Sequence, residues 1–445
     1  MSKNHERLAV LSLNIFCRPE GIHSGQWFHA GDNKDLRVAL LLRKMANFDV
    51  VILQEMFEAG LRHSRFIREA RAIGFHYHCG SIWPRFFDTR LIDGGLLILS
   101  RYPIVKRDQF VFSQGSGSDG ICAKGVLYAR IQLSPAVSDF FHVFTTHTQA
   151  GDNRNEYTIR LTQLEEMHRF IATTIQSDPQ VPILITGDFN LDARHDLVHD
   201  YESGRAMSTR CRESKVYQQL VTDLDRVVRA ARQKGATHGH EVSKSVSKTA
   251  LLIIDLMKQC DRTKLRDELH PITNGDGHSS LVHQSDPLSL EKDGKCIDYM
   301  FFFPSEDENP RFQLHVVEKS TTVDHCIANE LTNSKSGSTQ GEQWLKYSQL
   351  PLPITHLSDH YGLIGTFVLE LSSVEHPTGR LVETNESLVS VLQRSFSHQT
   401  FAQRPRRLWM CKLAFVLLSI VAISANIAFL FVYTVLHIAG VTTRL

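Results

Sequence analysis

Residues 181–190 read VPILITGDFN, an apolar run that ends in a glycine and two polar side chains. Val181–Thr186 is typical of a buried strand. Gly187 permits a sharp turn, and the i, i+2 spacing points Asp188 and Asn190 to one side if the chain stays extended. Asp188 is therefore a candidate to orient or deprotonate a water, and Asn190 a candidate donor to a phosphoryl oxygen. The alternative is an Asx-turn with no catalytic role.

Five further short polar motifs lie at the ends or starts of strand-like apolar runs. A strand holds its terminal residues rigidly, so six such motifs on one edge would bring carboxylates, amides and imidazoles into one pocket. That set fits a hard divalent cation on oxygen ligands, with two imidazoles that move protons, and it predicts hydrolysis of a phosphodiester. The five motifs are Leu13-Asn14, Gln54-Glu55, Thr146-His147, Ile297-Asp298-Tyr299 and Ser358-Asp359-His360.

Glu55 ends the run VVILQE and is the first candidate metal ligand. Glutamate is disfavoured in strands and costly to bury without a partner, and metal ligation would supply that partner. Asn14 fits beside it as a neutral oxygen ligand. The alternatives are a solvent-facing or salt-bridged glutamate and an asparagine that caps a turn.

Two histidines are candidates for proton transfer. His360 follows Asp359, and an acid–imidazole pair before a strand fits a general base with a pKa near neutrality. Asp298 starts the very apolar run DYMFFF, where an unpaired carboxylate would be costly, so we expect a histidine partner for it. His147 would supply a second imidazole to stabilise charge on the pentavalent phosphorus. The alternative for each histidine is an ordinary satisfied polar residue.

The periodicity along the chain predicts strands interleaved with a few helices, which is typical of a layered α/β domain. The predicted helices are Asp35–Asn47 and Asn155–Ile175. Residues 193–293 are poorly periodic, and we expect loops, insertions and short helices there. The predicted strands are Leu8–Asn14, Asp49–Gln54, Gly95–Ser100, Gly125–Leu133, Phe141–Thr146, Val181–Thr186, Ile297–Phe303 and Leu363–Leu371.

Composition and charge are those of an ordinary globular protein. The 445 residues carry 49 Lys and Arg against 48 Asp and Glu, so the formal net charge is +1. A nucleic-acid binder usually carries a basic field, so this balance disfavours a nucleic-acid partner. The eight cysteines have no CxxC pair, which predicts reduced thiols in a cytosol-facing protein. The opening MSKNHERLAV lacks the apolar core of a signal peptide, so we expect no secretion by that route.

The largest composition shift lies near the C-terminus. Residues 413–441 contain no Asp, Glu, Lys or Arg, and they exceed the roughly 20 residues needed to cross a bilayer. We therefore predict a single-pass transmembrane tail anchor at 413–441, a polar linker at 373–412 and a catalytic domain at 1–372. The positive-inside bias puts the catalytic domain in the cytosol, with the organelle open. The alternative is a buried core helix. The basic residues before the span are Arg404, Arg406, Arg407 and Lys412.

Together these motifs resemble the endonuclease/exonuclease/phosphatase superfamily, and within it the neutral sphingomyelinases. GDFN together with SDH is fairly specific to the superfamily. The pair Asp119 and Lys124, five residues apart before a strand, resembles the sphingomyelinases. The superfamily motifs are LSLNIF at Leu11–Phe16, Gln54-Glu55, GLLILSRYPI at Gly95–Ile104, TTHTQA at Thr145–Ala150, GDFN at Gly187–Asn190, IDYMFF at Ile297–Phe302 and SDHYGL at Ser358–Leu363.

The resemblance implies a four-layer α/β sandwich with two mixed sheets between helices. It also implies a Mg²⁺-dependent enzyme of the phospholipase C type that cleaves sphingomyelin to ceramide and phosphocholine. Glu55 would hold Mg²⁺, with Asn14 near the metal and the phosphate. Asp119 and Lys124 would switch the access of the substrate.

Catalytic roles follow from the same resemblance. Which of the two histidines acts as base and which stabilises the transition state stays open. The implied roles are general base for His360, orienting partner for Asp298, transition-state stabilisation for His147, positioning of the water and phosphoryl oxygens for Asp188 and Asn190, and support of the metal or its surroundings for Asp359.

Other substrates and classes stay open at this point. Inositol phosphosphingolipids or lyso-phosphocholine lipids would use the same catalytic set. A membrane-tethered nuclease, a phosphoinositide phosphatase and an inactive scaffold are further alternatives. Trp83, Phe86 and Phe87 are candidates for contact with choline or the membrane, because aromatic faces bind quaternary ammonium groups. Burial in the core is the alternative for these three.

Overall fold

The apolar runs of the sequence form two β-sheets that pack face to face. Every helix and strand described belongs to one compact unit, Met1–Pro84 with Thr89–Pro377. The computed structural model describes residues 6–19, 33–58, 62–81, 83–84, 88–134, 139–194, 213–236, 251–260, 270–275, 277–281, 294–306, 312–317, 320–332 and 352–371.

The strands and helices are numbered here in chain order. The strands are β1 Glu6–Cys17, β2 Val50–Met56, β3 Tyr77–Gly80, β4 Leu97–Ser100, β5 Ile104–Val111, β6 Gly125–Gln132, β7 Phe140–His147, β8 Ile183–Asp188, β9 Ile254–Asp255, β10 Asp298–Phe303, β11 Phe312–Val316, β12 Thr322–Asp324 and β13 Gly362–Leu371. The helices are α1 Lys34–Met45, α2 Arg62–Ala72, α3 Gly117–Gly120, α4 Arg154–Thr174 (followed by a 3₁₀ turn, Ile175–Ser177), α5 Lys215–Ala236, α6 Leu256–Cys260 and α7 Ala328–Thr332.

Both sheets are mixed. The first has the strand order β11-β13-β1-β2-β4-β3, with β12 also paired to β13, and the second has the order β5-β6-β7-β8-β10-β9. In the first sheet β1 and β2 are parallel, and in the second β7 and β8 are parallel. The other described pairs are antiparallel. The prediction of an α/β sandwich with two mixed sheets is confirmed.

The alternation along β2 shows why its run is apolar throughout. Val50 and Ile52 lie in the core between the sheets, whereas Val51 and Leu53 pack on the opposite face with residues of α1. All four are fully buried, and each burial contributes about 1.5–3 kcal/mol relative to exposure. Helices α4 and α5 cover the outer face of the second sheet in the same way. The layers are therefore helix, sheet, sheet and helix.

The strand directions gather the polar motifs at one edge of both sheets. The parallel strands β1 and β2 end there side by side. Strands β7 and β8 also end there, with His147 opposite Asp188. Strand β10 runs the other way and begins there, with Asp298 opposite Asp188. Residues 358–360 lie just before β13, which is antiparallel to β1. One edge thus receives carboxylates and imidazoles from both sheets.

The prediction of loops and short helices over residues 193–293 is wrong at α5, which has 22 residues. The residues on either side of α5 are polar and lack a helical period, so the helix is hidden when the region is read as a whole. Its apolar residues recur every three or four positions and pack against the second sheet. They are Tyr217, Leu220, Leu224, Val228 and Ala231.

The predicted transmembrane anchor at 413–441 and the linker at 373–412 lie outside the described residues, as do Phe86 and Phe87. Within the described ranges, no helix combines the length and the apolar composition that a bilayer crossing requires. The domain limits at 1–372, 373–412 and 413–441 stay a prediction.

Candidate active site

Asn14, near the end of β1, connects two carboxylates. Its Nδ2 donates to Glu55 Oε1 at 3.1 Å and to Asp188 Oδ2 at 2.9 Å. Its Oδ1 accepts the N–H of Phe16 at 2.9 Å, which fixes the orientation of the amide. Because Asn14 is fully buried, it holds a carboxylate of each sheet at a fixed position. Its role as a direct metal ligand stays a prediction.

Glu55 has a backbone conformation that residues with side chains seldom adopt. Its φ is +55°, and the neighbouring Gly95 has a φ of +68°. Asp93 secures this turn, because Oδ1 accepts the N–H of Glu58 at 3.0 Å and Oδ2 accepts the N–H of Gly95 at 2.9 Å. A non-glycine residue at such a φ costs about 1–3 kcal/mol and persists where its surroundings hold it. The turn therefore directs the Glu55 carboxylate toward Asn14.

Asp188, at the end of β8, lies at the centre of the site. Its Oδ2 is 3.5 Å from His147 Nε2 and 3.8 Å from His360 Nε2. Burial raises the pKa of Asp188, but the electrostatic effects of the neighbouring His147, His360 and Lys124 and the hydrogen bond from Asn14 together outweigh burial. The pKa of Asp188 therefore lies below its ordinary value. One charged oxygen thus faces both imidazoles and the Asn14 amide.

The chain does not stay extended after β8, so the condition for Asp188 and Asn190 to point to one side is not met. Asp188 Oδ1 accepts the N–H of Asn190 at 2.9 Å, and Asn190 has a φ of +47°, which is an Asx-turn. Asn190 Nδ2 donates to the carbonyl oxygen of Thr148 at 3.3 Å. The two oxygens of Asp188 therefore differ, because Oδ1 holds the turn while Oδ2 faces the imidazoles.

His360 and Asp298 form a buried pair. His360 Nδ1 lies 2.9 Å from Asp298 Oδ2, and Thr273 Oγ1 donates to the same oxygen at 2.8 Å. Burial lowers the pKa of His360, but the charges of Asp298 and Asp188 outweigh it and raise that pKa well above its ordinary value. Burial raises the pKa of Asp298 to about 6. The ring is held at Nδ1, and its Nε2 faces Asp188.

His147, at the end of β7, contacts Lys124 through its Nε2. The Lys124 Nζ lies 3.0 Å from Nε2, 2.7 Å from Asp119 Oδ2 and 2.9 Å from the carbonyl oxygen of Thr148. An ammonium group only donates, so Nε2 is the acceptor and the ring proton is on Nδ1. Burial lowers the pKa of His147, and the charge of Lys124 lowers it further. His147 is therefore neutral in this arrangement.

Two buried polar side chains tie the strand ends together. Arg37 on α1 donates to carbonyl oxygens at the end of β1 at 2.6 and 2.9 Å, and to the carbonyl oxygen of Leu357, next to residues 358–360, at 2.9 Å. Gln54 in the first sheet donates to Thr145 Oγ1 in the second at 3.0 Å. These contacts fix the distance between the halves of the site.

The structure brings the predicted site residues to this edge, including Asp359. Burial raises the pKa of Asp359, and the negative charge of Glu55 raises it further. Trp83 is half-buried, and its indole N–H donates to the Glu58 carboxylate. The residues gathered at the edge are Asn14, Glu55, Asp119, Lys124, His147, Asp188, Asn190, Asp298, Asp359 and His360.

The donors at this edge fit a divalent cation. Two carboxylate oxygens, of Glu55 and Asp188, contact one amide nitrogen, so negative charge is concentrated there. The Glu55 side chain is 15% exposed and therefore accessible from solvent. Carboxylate oxygens are the ligands that Mg²⁺ and Ca²⁺ prefer. A second group, Asp188, Asp298 and His360, has ligating atoms within 4.8 Å of one another.

The chain belongs to the Endonuclease/Exonuclease/phosphatase family, whose model matches residues 11–304. A sphingomyelinase of Dictyostelium discoideum is 29% identical over 362 residues, which is 72% of this chain and 71% of that protein. A sphingomyelinase C of Listeria ivanovii is 30% identical over 171 residues, 35% of this chain and 49% of that protein. The chain thus spans about half the length of this bacterial relative. The resemblance drawn from the motifs is confirmed, as is the prediction of a hydrolase of this family.

Solved structures agree on the fold. The crystal structure of a mutant beta toxin of Staphylococcus aureus with bound magnesium ions has a TM-score of 0.50 and 19% identity. The match covers 82% of this chain and 100% of the beta toxin chain. A second beta toxin structure from the same organism has a TM-score of 0.50 and 20% identity, and covers 80% of this chain and 99% of that chain. At these identities the likeness concerns the fold alone.

Proposed function

We propose that the chain is a Mg²⁺-dependent sphingomyelin phosphodiesterase of the phospholipase C type. The observation that carries the proposal is Asp188 Oδ2, within 4 Å of His147 Nε2, His360 Nε2 and the Asn14 amide that also holds Glu55. This arrangement combines a buried anion, two imidazoles and a pair of carboxylates that fits a divalent cation. The sphingomyelinase relatives of Dictyostelium and Listeria support the choice of lipid.

In the proposed reaction a water attacks phosphorus, and the bond between phosphorus and the ceramide oxygen breaks. His360 Nε2 takes the proton from the water, while Nδ1 keeps its hydrogen bond to Asp298. The negative charge of Asp298 stabilises the imidazolium that forms. Asp188 Oδ2 holds the water beside His360 Nε2. The ceramide oxygen takes a proton from a solvent water as it leaves, and His360 returns its own proton to solvent, so ceramide and phosphocholine are the products.

Two further groups would face the phosphoryl oxygens. Asn190 uses one amide hydrogen on the carbonyl oxygen of Thr148, and its second amide hydrogen suits a phosphoryl oxygen. His147 would donate from Nε2 to the charge that develops in the transition state. For that role the ring needs a proton on Nε2, the atom that Lys124 contacts at 3.0 Å.

We place the Mg²⁺ at Glu55, with Asp188 and Asp359 nearby, and Asn14 would position the Glu55 and Asp188 carboxylates through its Nδ2. The alternative group of Asp188, Asp298 and His360 is less suited to hold the ion. In that group His360 Nδ1 already hydrogen-bonds to Asp298 Oδ2, with the two atoms 2.9 Å apart. When bound, the ion supplies Lewis-acid stabilisation of phosphoryl charge. The strained turn at Glu55 and its Asp93 support keep this carboxylate in place whether or not substrate is present.

The pair of Asp119 and Lys124 would control the site through His147. In the arrangement described, the Lys124 ammonium uses its three hydrogens on His147, Asp119 and Thr148. His147 cannot then donate from Nε2. Movement of Lys124 away from the ring would free that nitrogen for the phosphate, and Asp119 would hold the lysine in either position.

Lys124→Met is expected to raise the pKa of His147, because the charge of Lys124 lowers that pKa in the parent chain. The measurement is a histidine NMR titration, with the His147 signal assigned by its loss in His147→Gln. Lys295→Met is the matched control, since Lys295 pairs with Asp152 at 2.7 Å on an exposed surface. An unchanged His147 pKa in Lys124→Met contradicts the contact on which the control of the site depends.

We also propose that residues 413–441 anchor the enzyme in a membrane, with the catalytic domain on the cytosolic side. The absence of charge in this stretch and the basic residues before it support the anchor. Tethering would raise the effective concentration of a lipid substrate.

Removal of residues 413–445 is expected to move the protein from the membrane pellet to the supernatant. Activity on detergent-solubilised lipid should stay within about twofold, because the catalytic groups lie outside the deleted stretch. Sedimentation and head-group release measure the two effects. A truncated protein that still pellets with membranes shows that another attachment exists.

The substrate is tested by head-group release from three purified lipids by the full chain. Sphingomyelin is expected to be cleaved fastest. Faster release from an inositol phosphosphingolipid or from lysophosphatidylcholine contradicts the proposed specificity, while the phosphodiesterase chemistry would stand.

A further inference from the structure

Two exposed apolar side chains lie side by side at the rim of the site. Leu91 is 47% exposed and Ile121 is 40% exposed. The N–H of Leu91 donates to the carbonyl oxygen of Ile121 at 2.8 Å, so the two residues are neighbours on paired segments. We refer to Leu91 and Ile121 as the rim pair. We propose that the rim pair inserts into the surface of a phosphocholine-bearing bilayer and seats the active site on its substrate. The inference rests on the proposed function.

The segment of Leu91 leads directly to the metal side of the site. It continues through Asp93 to Gly95, whose carbonyl oxygen accepts the N–H of Met56 at 2.8 Å, one residue after Glu55. Asp93 also accepts the N–H of Glu58 at 3.0 Å. Leu91 is therefore connected to the turn that carries Glu55 by a short segment, residues 92–95, that hydrogen-bonds to that turn.

The segment of Ile121 leads to the other side of the site. It begins after α3, which carries Asp119, and it ends at Lys124, whose Nζ contacts His147. The two segments approach closely, since a Cβ on Gly94 would lie 2.4 Å from the carbonyl oxygen of Ala123. Glycine is therefore required at position 94 for the segments to pair. The rim pair thus marks the point where both walls of the site reach the surface.

The charge pattern around the rim pair fits a zwitterionic lipid surface. Residues 110–118, FVFSQGSGS, contain no charged side chain. Most of residues 113–118 are exposed. The charges that follow, Asp119 and Lys124, are already paired at 2.7 Å, and the charged Arg90 next to Leu91 donates to the carbonyl oxygen of Phe112. Burying this rim in the head-group layer therefore leaves few charges to desolvate, which is the main cost of bringing protein to a membrane. A surface without net charge is the partner that such a rim suits.

Leu91→Asp and Ile121→Asp test the proposal in the full chain reconstituted in vesicles of sphingomyelin and phosphatidylcholine. Cleavage of vesicle sphingomyelin is expected to fall about tenfold or more, because each variant removes a buried apolar contact with the bilayer. Cleavage of a monomeric, short-chain sphingomyelin should stay within about twofold, because neither side chain belongs to the catalytic machinery. The proposal is overturned if both substrates are affected equally, or if neither is affected.

Leu251→Asp is the matched control, because Leu251 is 55% exposed. It precedes β9, which is antiparallel to β10, so it lies toward the end of β10 remote from Asp298. This variant is expected to cleave both substrates like the parent chain.

A second readout separates membrane contact from activity. Leu91→Trp and Ile121→Trp are reconstituted in vesicles that contain brominated phosphatidylcholine, and the quenching of tryptophan fluorescence is measured. The quenching of the parent chain, which has four native tryptophans, is subtracted. We expect added quenching at both positions and none for Leu251→Trp. Quenching without any sphingomyelin cleavage by the parent chain would reject the proposed function and keep the membrane surface. No added quenching at either position would overturn the surface itself.

Discussion

Asp298→Asn is expected to lower the maximum of kcat/KM by about 10²–10⁴-fold and to shift the acid limb of its pH profile to lower pH. Asp298 accepts from His360 Nδ1 at 2.9 Å, so its replacement removes both the orientation of the ring and the charge that stabilises the imidazolium. The amide keeps the size of the side chain, so the effect reports on charge and hydrogen bonding.

The direction of the shift follows from the pKa of His360. The negative charges of Asp298 and Asp188 raise that pKa. Removing one charge lowers it, so the neutral imidazole appears at lower pH. A general base works in its neutral form, and activity therefore begins at lower pH. If His360 acted as an acid, its protonated form would be lost at lower pH, and the alkaline limb would shift instead.

Asp178→Asn is the control for Asp298→Asn. Asp178 pairs with Arg130 at 3.0 Å and precedes β8, so it lies at the end of that strand remote from Asp188. Its replacement should leave the pH profile unchanged. A profile of Asp298→Asn in which only the alkaline limb moves would contradict the assignment of His360 as the base.

Glu55→Gln is expected to weaken Mg²⁺ binding by about 100-fold or more and to abolish activity at millimolar Mg²⁺. Even groups that only support a ligand cost 10–100-fold in metal affinity when they are replaced, and Glu55 is the proposed ligand itself. The amide preserves the shape of the side chain but removes the negative charge. Calorimetric titration with Mg²⁺ measures the loss without reference to turnover.

Two comparisons locate the ion. Glu69→Gln is the control, because Glu69 lies on α2, is 13% exposed like Glu55 at 15%, and pairs with Arg65 at 2.9 Å; this variant should bind Mg²⁺ normally. If the ion binds at Glu55, Asp298→Asn should keep the Mg²⁺ affinity within about threefold. The Asp298 carboxylate then orients His360 and does not contact the ion. Strong loss of binding in Asp298→Asn, with little change in Glu55→Gln, would place the ion at the group of Asp188, Asp298 and His360.

Much of the fold was predictable because its central strands are buried on both faces. Burial makes the runs at β1, β2, β8 and β10 continuously apolar, and such runs are visible in a sequence. Their polar ends were visible for the same reason, since a glutamate after VVILQ or an aspartate before YMFFF interrupts an apolar pattern. Helix α5 was missed because the residues before and after it are polar and aperiodic, and its own period is hidden when residues 193–293 are read as one region.

The supports of the site were not predictable. Arg37 reaches Leu357, which is 320 positions away in the chain. Thr273 reaches Asp298 from a segment without a motif of its own, and Asp93 secures Glu55 through two backbone N–H groups. Each contact depends on tertiary placement, and no local pattern of residue types records it. The contact between Lys124 and His147 is of the same kind, although each residue was a candidate by itself.

The measurement that tests the central claim most directly is phosphocholine release from sphingomyelin by the purified full chain. It compares Mg²⁺ with EDTA and the parent with His360→Ala. We predict Mg²⁺-dependent release by the parent, none with EDTA, and a loss of about 10²–10⁴-fold in the variant. Folding of the variant is checked by circular dichroism. Release that persists in EDTA, or a folded His360→Ala with parental activity, would contradict the account.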